Sequence, residues 1–289
     1  MPSDVGREAL YNGPINLWVE DPLTRAYLDA LWDDPAVKFL IGGGHDGVRA
    51  IIRDAEDAGF RNVFGLIDRD YHRSNRVDWL VPGRAFRTFI LPVHEIENYL
   101  LHTAALEGCR YNTHRRTVAE IDAFLVAEAT RRCWWAACRD VVALIRDRFR
   151  DHFVNDPTTP PVKDEATAFD HIRHSDWFRE LPRKSATMTE PHIHRLLLRM
   201  HARSARLIAD GGWRVEFAGK EIVREIGNRI FNRTIAPRSY RPSKAEFDAD
   251  LAKTVADWQV AHDAIPPDLS DLLSALKARI TPPPPDPPG

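Results

Sequence analysis

The sequence predicts an α/β protein: a parallel sheet flanked by helices, followed by a large helical part. Three observations carry that reading. Short apolar runs without polar alternation recur at INLWV (15–19), VKFLI (37–41), NVFGLI (62–67) and FRTFIL (86–91), as expected of strands buried on both faces. The stretches between the first of them carry apolar residues at helical spacing. From about residue 113 the pattern is almost wholly helical.

Glu20-Asp21-Pro22 follows the first run. Pro22 suits the first position of a helix that sets Leu23, Ala26, Tyr27, Ala30 and Leu31 on one face. The second run closes on Gly42-Gly43-Gly44, and Asp46 is placed to cap a helix bearing Val48, Ile51, Ile52 and Ala55 and ending at Gly59. The third run ends in Asp68-Arg69-Asp70, and the fourth leads into an acidic helix start at His94-Glu95-Ile96-Glu97. Long helices are predicted near 117–150, 165–180 and 189–209. WRVEF (213–217) reads as a lone late strand, which needs the amino-terminal sheet to satisfy its backbone groups. Helices near 219–231, 244–262 and 268–280 follow. The predicted organisation is a core over 1–112, a helical insertion over 113–209 and a carboxyl-terminal part over 210–280 that rejoins the core. The mostly proline stretch 281–289 is expected to be extended and disordered.

The chain has 289 residues, 28% of them charged and 44% hydrophobic, an ordinary globular balance with ample length for a core. A net charge of −2 excludes a uniformly basic coat. Charge is uneven, however: between 192 and 244 twelve basic residues face four acidic ones, so that stretch carries +8 and the remainder −10. Cys109, Cys133 and Cys138 form no CxxC pair, which argues against a zinc ribbon and a disulfide framework. No apolar run approaches the roughly 18 residues of a membrane span, and the opening MPSDVGREAL lacks the charged-then-apolar pattern of a signal peptide. A reducing, cytoplasmic setting without a membrane is expected.

Three constellations carry chemistry. Glu20, Asp68 and Asp70 each follow a predicted parallel strand, at the sheet edge where such folds bind ligands. Carboxylates converging there repel one another unless a cation intervenes, and oxygen-only ligands suit Mg²⁺ or Mn²⁺. The plain alternative is solvated loop acids, or pairing with Arg69 and Arg73. Second, Gly42, Gly44 and Gly47 spell G-x-G-x-x-G with Asp68 about twenty residues on, on paper a dinucleotide fingerprint. Against it, the fingerprint belongs to a first strand and Asp46 would face the pyrophosphate; a tight structural turn explains the glycines equally well. Val48-Arg49 after Gly47 excludes a Walker A loop. Third, Arg195, Arg199, Arg203 and Arg206 fall on one helix face without interspersed glutamates. That stripe is either a solvated face or a surface for a nucleic-acid backbone, held without sequence preference.

WVEDPLTRAYL, the glycine loop, GLIDRDY (65–71) and HEIENYLL (94–101), in that order, resemble the TOPRIM catalytic domain. The resemblance covers roughly residues 15–101. It is closer to the branch of small TOPRIM-like proteins, once grouped only as a domain of unknown function, that includes the effector nuclease of PARIS-type anti-phage systems. AGKEIV (218–223) is similar to the segment that carries a lysine near the metals in OLD-type nucleases. The resemblance implies that Glu20, Asp68 and Asp70 are metal and acid–base positions, Glu97 an extra metal-binding acid, and Lys220 a transition-state ligand. A topoisomerase would need a strand-gating domain and a primase a zinc ribbon, which leaves phosphodiester hydrolysis with Mg²⁺ or Mn²⁺. Lys220 or Arg69 would offset charge on the scissile phosphate. The branch also implies a separate ABC-type ATPase partner, and leaves room for a homodimer. A Rossmann-type NAD-binding protein and a catalytically silent TOPRIM-like subunit are the alternatives.

Overall fold

The computed structural model describes residues 8–70, 87–149, 162–231 and 242–280. β1 (Ile15–Val19), β2 (Val37–Ile41), β3 (Val63–Ile67) and β4 (Thr88–Ile90) form an all-parallel sheet in the order β2-β1-β3-β4. α1 (Pro22–Trp32) connects β1 to β2, and α2 (His45–Asp57) connects β2 to β3. The apolar runs therefore do form the strands, because a parallel strand covered on both faces leaves no place for polar alternation. Leu17, Phe64, Leu66 and Phe89 join the main core, whereas Val63, Ile67 and Ile90 meet Val48, Ile52 and Ala55 of α2 on the other side.

The first helix starts as its sequence predicts: Pro22 takes the first position and the Asp21 side chain accepts the Thr24 N–H at 2.8 Å. The second starts differently. Gly44 occupies the cap position at φ +107, and Asp46 lies inside the first turn. Gly47 sits so close to the preceding loop that a Cβ there would fall 2.2 Å from the Gly42 carbonyl oxygen.

Beyond the sheet come a 3-10 turn (Ile96–Leu100) and then α3 (Thr103–Glu107), α4 (Val118–Arg131), α5 (Cys133–Phe149), α6 (Glu165–Arg173), α7 (Asp176–Lys184) and α8 (Glu190–Asp210). α9 (Trp213–Glu216), α10 (Gly219–Glu225), a π turn (Ile226–Ile230), α11 (Lys244–Ala261) and α12 (Pro267–Ile280) follow. Ile121, Leu125 and Ala129 of α4 pack into the sheet's core together with α1, α11 and α12. A second core begins in α5, where Trp135, Val141 and Ile145 meet Ala168, Ile172, Leu181, Ile193 and Leu197. Stretch 281–289 lies outside the described residues. No helix among the described residues is long and apolar enough to cross a membrane.

WRVEF is not a strand. Gly211 ends α8 at φ +81, and residues 213–216 then make a single helical turn. The backbone partners that a strand would require come from elsewhere. Val215 O accepts the His94 N–H at 2.8 Å, and the Asn98 amide donates to Arg214 O at 2.8 Å and Phe217 O at 2.9 Å. The segment thus does return to the core, but through loop and side-chain hydrogen bonds at the end of β4 instead of a sheet ladder.

Candidate metal centre

In a parallel sheet of this order the connections run outward in opposite directions from β1 and β3, and the crevice between their carboxyl ends is the natural ligand site. Glu20 follows β1 directly and Asp68 follows β3 directly. The two are joined: the Asp68 main-chain N–H donates to Glu20 Oε1 at 2.7 Å. Asp68 Oδ1 in turn accepts the Ile96 N–H at 3.1 Å, which ties β3 to the 3-10 turn after β4. Asp68 and Asp70, two apart, would point the same way on an extended backbone, but the backbone turns at Asp70. Asp70 sits in the left-handed region at φ +49, and its N–H donates to the His94 carbonyl at 2.8 Å. Among the described residues, ligand atoms of Asp70, His94 and Glu95 lie within 4.8 Å of one another.

Glu95 and Glu97 are both buried, Ile96 pointing between them into the core. Asn98 organises this turn, accepting the Glu95 N–H at its side-chain oxygen at 3.0 Å while its amide holds the 213–217 segment. α10 is pressed against the same turn. A Cβ on Gly219 would meet Asn98 N at 2.7 Å and Glu97 C at 2.9 Å. This close approach lets the Lys220 N–H donate to Glu95 Oε1.

Five carboxyls are therefore electrostatically linked. Burial raises Glu20 above the ordinary carboxylate range; the Asp68 N–H and His45 pull it back, while Asp70 and Asp21 push it up. Burial, then repulsion from Glu20, Glu95, Glu97 and Asp70, holds Asp68 well above its usual value. Glu95 is pushed up to about 8 by burial and by Glu97, and Glu97 to about 7 by burial and by Asp21, against the opposing pull of Lys220. Burial would lower the Lys220 ammonium, but Glu97, Glu95, Asp21 and Asp68 outweigh it and raise the group. The buried His94 is driven down to about 3 by burial and by Arg139 and Arg69, so its ring is neutral at pH 7. Oxygen donors crowded to the point of holding protons near neutrality, with a neutral imidazole beside them, fit a divalent cation.

A pH dependence follows. Glu95 and Glu97 release their protons near 4.5 when unfolded but at about 8 and about 7 when folded. Between those values the native state binds more protons, so stability falls as pH rises. His94 has the opposite sign, but only below its ordinary value of 6.5. The melting temperature of metal-free protein should therefore drop by roughly 5 °C between pH 6.5 and 8, and millimolar Mg²⁺ should flatten the slope. Scanning calorimetry in chelator and in Mg²⁺ reads both; a flat metal-free profile would contradict the assignment.

The remaining candidate residues are placed as follows. Arg69 turns away from the acids: its side chain is 5% exposed, bonded to Glu216 at 3.2 Å and to Val215 O at 3.1 Å. It is thus committed to a carboxylate and is not offered to a substrate, whereas Arg73 lies outside the described residues. The Lys220 main-chain N–H bonds Glu95, and its exposed side chain feels the charge of Glu97, Glu95, Asp21 and Asp68. On α8, Arg195, Arg199 and Arg206 are exposed, but Arg203 bonds Glu216 at 2.9 Å and Asp140 at 3.2 Å. The Gly43 and Gly44 N–H groups, which a dinucleotide fingerprint would aim at a pyrophosphate, are bonded to the Glu20 carbonyl at 3.1 and 3.2 Å. The glycine loop also follows β2, which lies at the sheet edge. Both facts favour the structural turn over the nucleotide reading. The fold adds His94 and Asn98 to the site and promotes Glu95 from a helix-start acid to a member of the cluster. The one signal of this in the sequence is the polar string His94-Glu95-Ile96-Glu97-Asn98 shortly after a strand. No protein-family model matches this sequence, and no curated protein matches it.

Proposed function

We propose that the chain is a TOPRIM-like, metal-dependent nuclease that hydrolyses phosphodiester bonds in RNA or DNA. The observation that carries this is the electrostatic linkage of Asp68 with Glu20, Asp70, Glu95 and Glu97 past the carboxyl ends of β1 and β3, with the Lys220 main chain bonded to Glu95. Glu20, Asp68, Asp70 and Glu97 would hold Mg²⁺ or Mn²⁺. When bound, the ion supplies the positive charge that polarises a phosphodiester and helps activate a water. The protein's own groups do the rest. The glycine loop and the Asp68 N–H fix Glu20, which can take a proton from the attacking water or bind the ion. The Lys220 ammonium, whose charge Glu97, Glu95, Asp21 and Asp68 reinforce, would offset the charge that grows on the phosphate in the transition state.

The family likeness further suggests the effector of an anti-phage system restrained or triggered by a separate ABC-type ATPase, with a homodimer as a compatible assembly. Expression of wild type and Glu20→Ala, with sequencing of the ends of cellular RNA and DNA fragments, tests the reading. New ends that depend on Glu20 support it, and identical fragment profiles overturn it.

The exposed arginines of α8 suit a polyanion backbone. Neutralising Arg195 and Arg206 together should weaken nucleic-acid binding alike for all sequences and reduce the slope of log affinity against log salt by about one unit per lost phosphate contact. A filter-binding salt titration measures this, and an unchanged slope returns the stripe to a solvated face. Arg203→Ala should instead lower thermal stability, since it removes the bonds that Arg203 makes to the Glu216 and Asp140 carboxylates.

A further inference from the structure

We propose that Asp70, His94 and Glu95 form a second metal position that shares Asp70 with the group of Glu20, Asp68 and Glu97, and that it takes a first-row transition ion in preference to Mg²⁺. The inference rests on the metal-dependent reading above, though not on any cleavage. It starts from geometry. One donor atom from each of the three residues lies within 4.8 Å of the other two. Donors sharing one ion, each about 2.1 Å from it, stand roughly 3–4 Å apart, so a small closure seats a cation among them.

The three donors come from two segments pinned to one another. The Asp70 N–H bonds the His94 carbonyl, and the His94 N–H bonds Val215 O, both at 2.8 Å. Glu95 is held by the Lys220 N–H. His94 and Glu95 are 1% and 8% exposed, so these are not the scattered surface acids that often gather without a cation. Asp70, half-buried, leaves the position open on one side.

The imidazole decides the ion. Mg²⁺ keeps to oxygen donors and gives up its waters reluctantly, whereas imidazole nitrogen suits iron, nickel, copper and zinc, and Mn²⁺, the weakest-binding ion of that first-row series, still takes a nitrogen more readily than Mg²⁺ does. A position with one nitrogen and two carboxylates therefore discriminates where the all-oxygen group of Glu20 and Asp68 does not. The site as a whole would hold two unlike positions, one indifferent to the choice between Mg²⁺ and Mn²⁺ and one selective.

Mn²⁺ is the probe. Pulsed electron paramagnetic resonance of the full chain loaded with Mn²⁺ should show coupling to a nitrogen nucleus, and labelling the histidines with ¹⁵N should shift that coupling. His94→Gln should abolish it, while His45→Gln, which alters another histidine that acts on Glu20, should leave it intact. Calorimetric titration should show the preference for Mn²⁺ over Mg²⁺ falling about tenfold in His94→Gln. The labelling experiment needs no variant, so a missing histidine nitrogen would overturn the assignment even if His94→Gln does not fold. Bound Mn²⁺ without nitrogen coupling, coupling that survives His94→Gln, or absence of Mn²⁺ binding would each overturn the assignment. None of these readouts involves nucleic acid. A chain that binds Mn²⁺ through His94 yet cuts nothing would sink the nuclease reading alone.

Discussion

Replacing Asp68 with asparagine should abolish metal-dependent cleavage, by a factor of roughly a thousand or more, equivalent to about 4 kcal/mol of transition-state stabilisation. The substitution preserves shape, and the asparagine oxygen can still accept the Ile96 N–H. What it removes is a buried charge surrounded by Glu20, Glu95, Glu97 and Asp70. Desolvation and repulsion both oppose that charge in the metal-free protein. The variant should therefore melt at the same temperature as wild type or higher when chelator is present, and should lose the stabilisation that Mg²⁺ confers on wild type. Inactivity combined with undiminished fold stability is the signature of a residue kept for its ion. If Mg²⁺ raises the melting temperature of Asp68→Asn as much as that of wild type, Asp68 does not hold the metal.

Gly219→Ala should damage the site through a single added methyl. Its Cβ would lie 2.7 Å from Asn98 N, 2.9 Å from Glu97 C and 3.0 Å from Asn98 Oδ1. The first two are backbone atoms within a turn that Asp68, Arg214 and Phe217 all hold in place. Neither is a flexible side-chain end that could swing aside, so α10 must lift. We expect a loss of about 2–3 kcal/mol in urea unfolding, together with a weaker Mn²⁺ affinity as Lys220 draws away from Glu95. Gly108→Ala is the control: a Cβ there meets nothing closer than 3.8 Å, and φ is −73, so stability should stay within about 0.5 kcal/mol of wild type. Equal stability of the two variants would mean that the Gly219 contact can relax.

The sheet and its acids are legible in the sequence because they obey local rules. Apolar runs of strand length, broken by glycine and acid pairs, specify doubly covered parallel strands wherever they fold, so the sequence alone places Glu20 and Asp68 at strand ends. WRVEF misleads for the opposite reason. Its aromatic and branched residues suit a strand, but the outcome turns on partners more than a hundred residues earlier: the Asn98 amide, the Arg69 guanidinium and the His94 N–H. The arginine stripe shows the same limit. Spacing puts Arg203 on a face with its neighbours, yet only the fold brings Glu216 and Asp140 to it. The inclusion of His94 and Glu95 depends on a left-handed residue at Asp70 and a close approach at Gly219, and neither is encoded in a window of local sequence.

The amides around the crevice have a kinetic consequence. The N–H groups of Gly43 and Gly44 serve the Glu20 carbonyl, that of Asp68 serves the Glu20 carboxylate, and those of Ile96 and Lys220 serve Asp68 and Glu95. Amides so engaged cannot cradle an arriving phosphate as those of phosphate-binding loops do. On the proposed reading the phosphate would meet instead a rim of acids that turns negative as they lose their protons, relieved by the Lys220 ammonium. If the chain is the nuclease proposed, assembly would then be ordered, with the ion entering first and offsetting the acids before the nucleic acid settles. Chelation would accordingly eject the substrate from the crevice as well as halt turnover, and whatever grip remained would be that of the exposed arginines of α8.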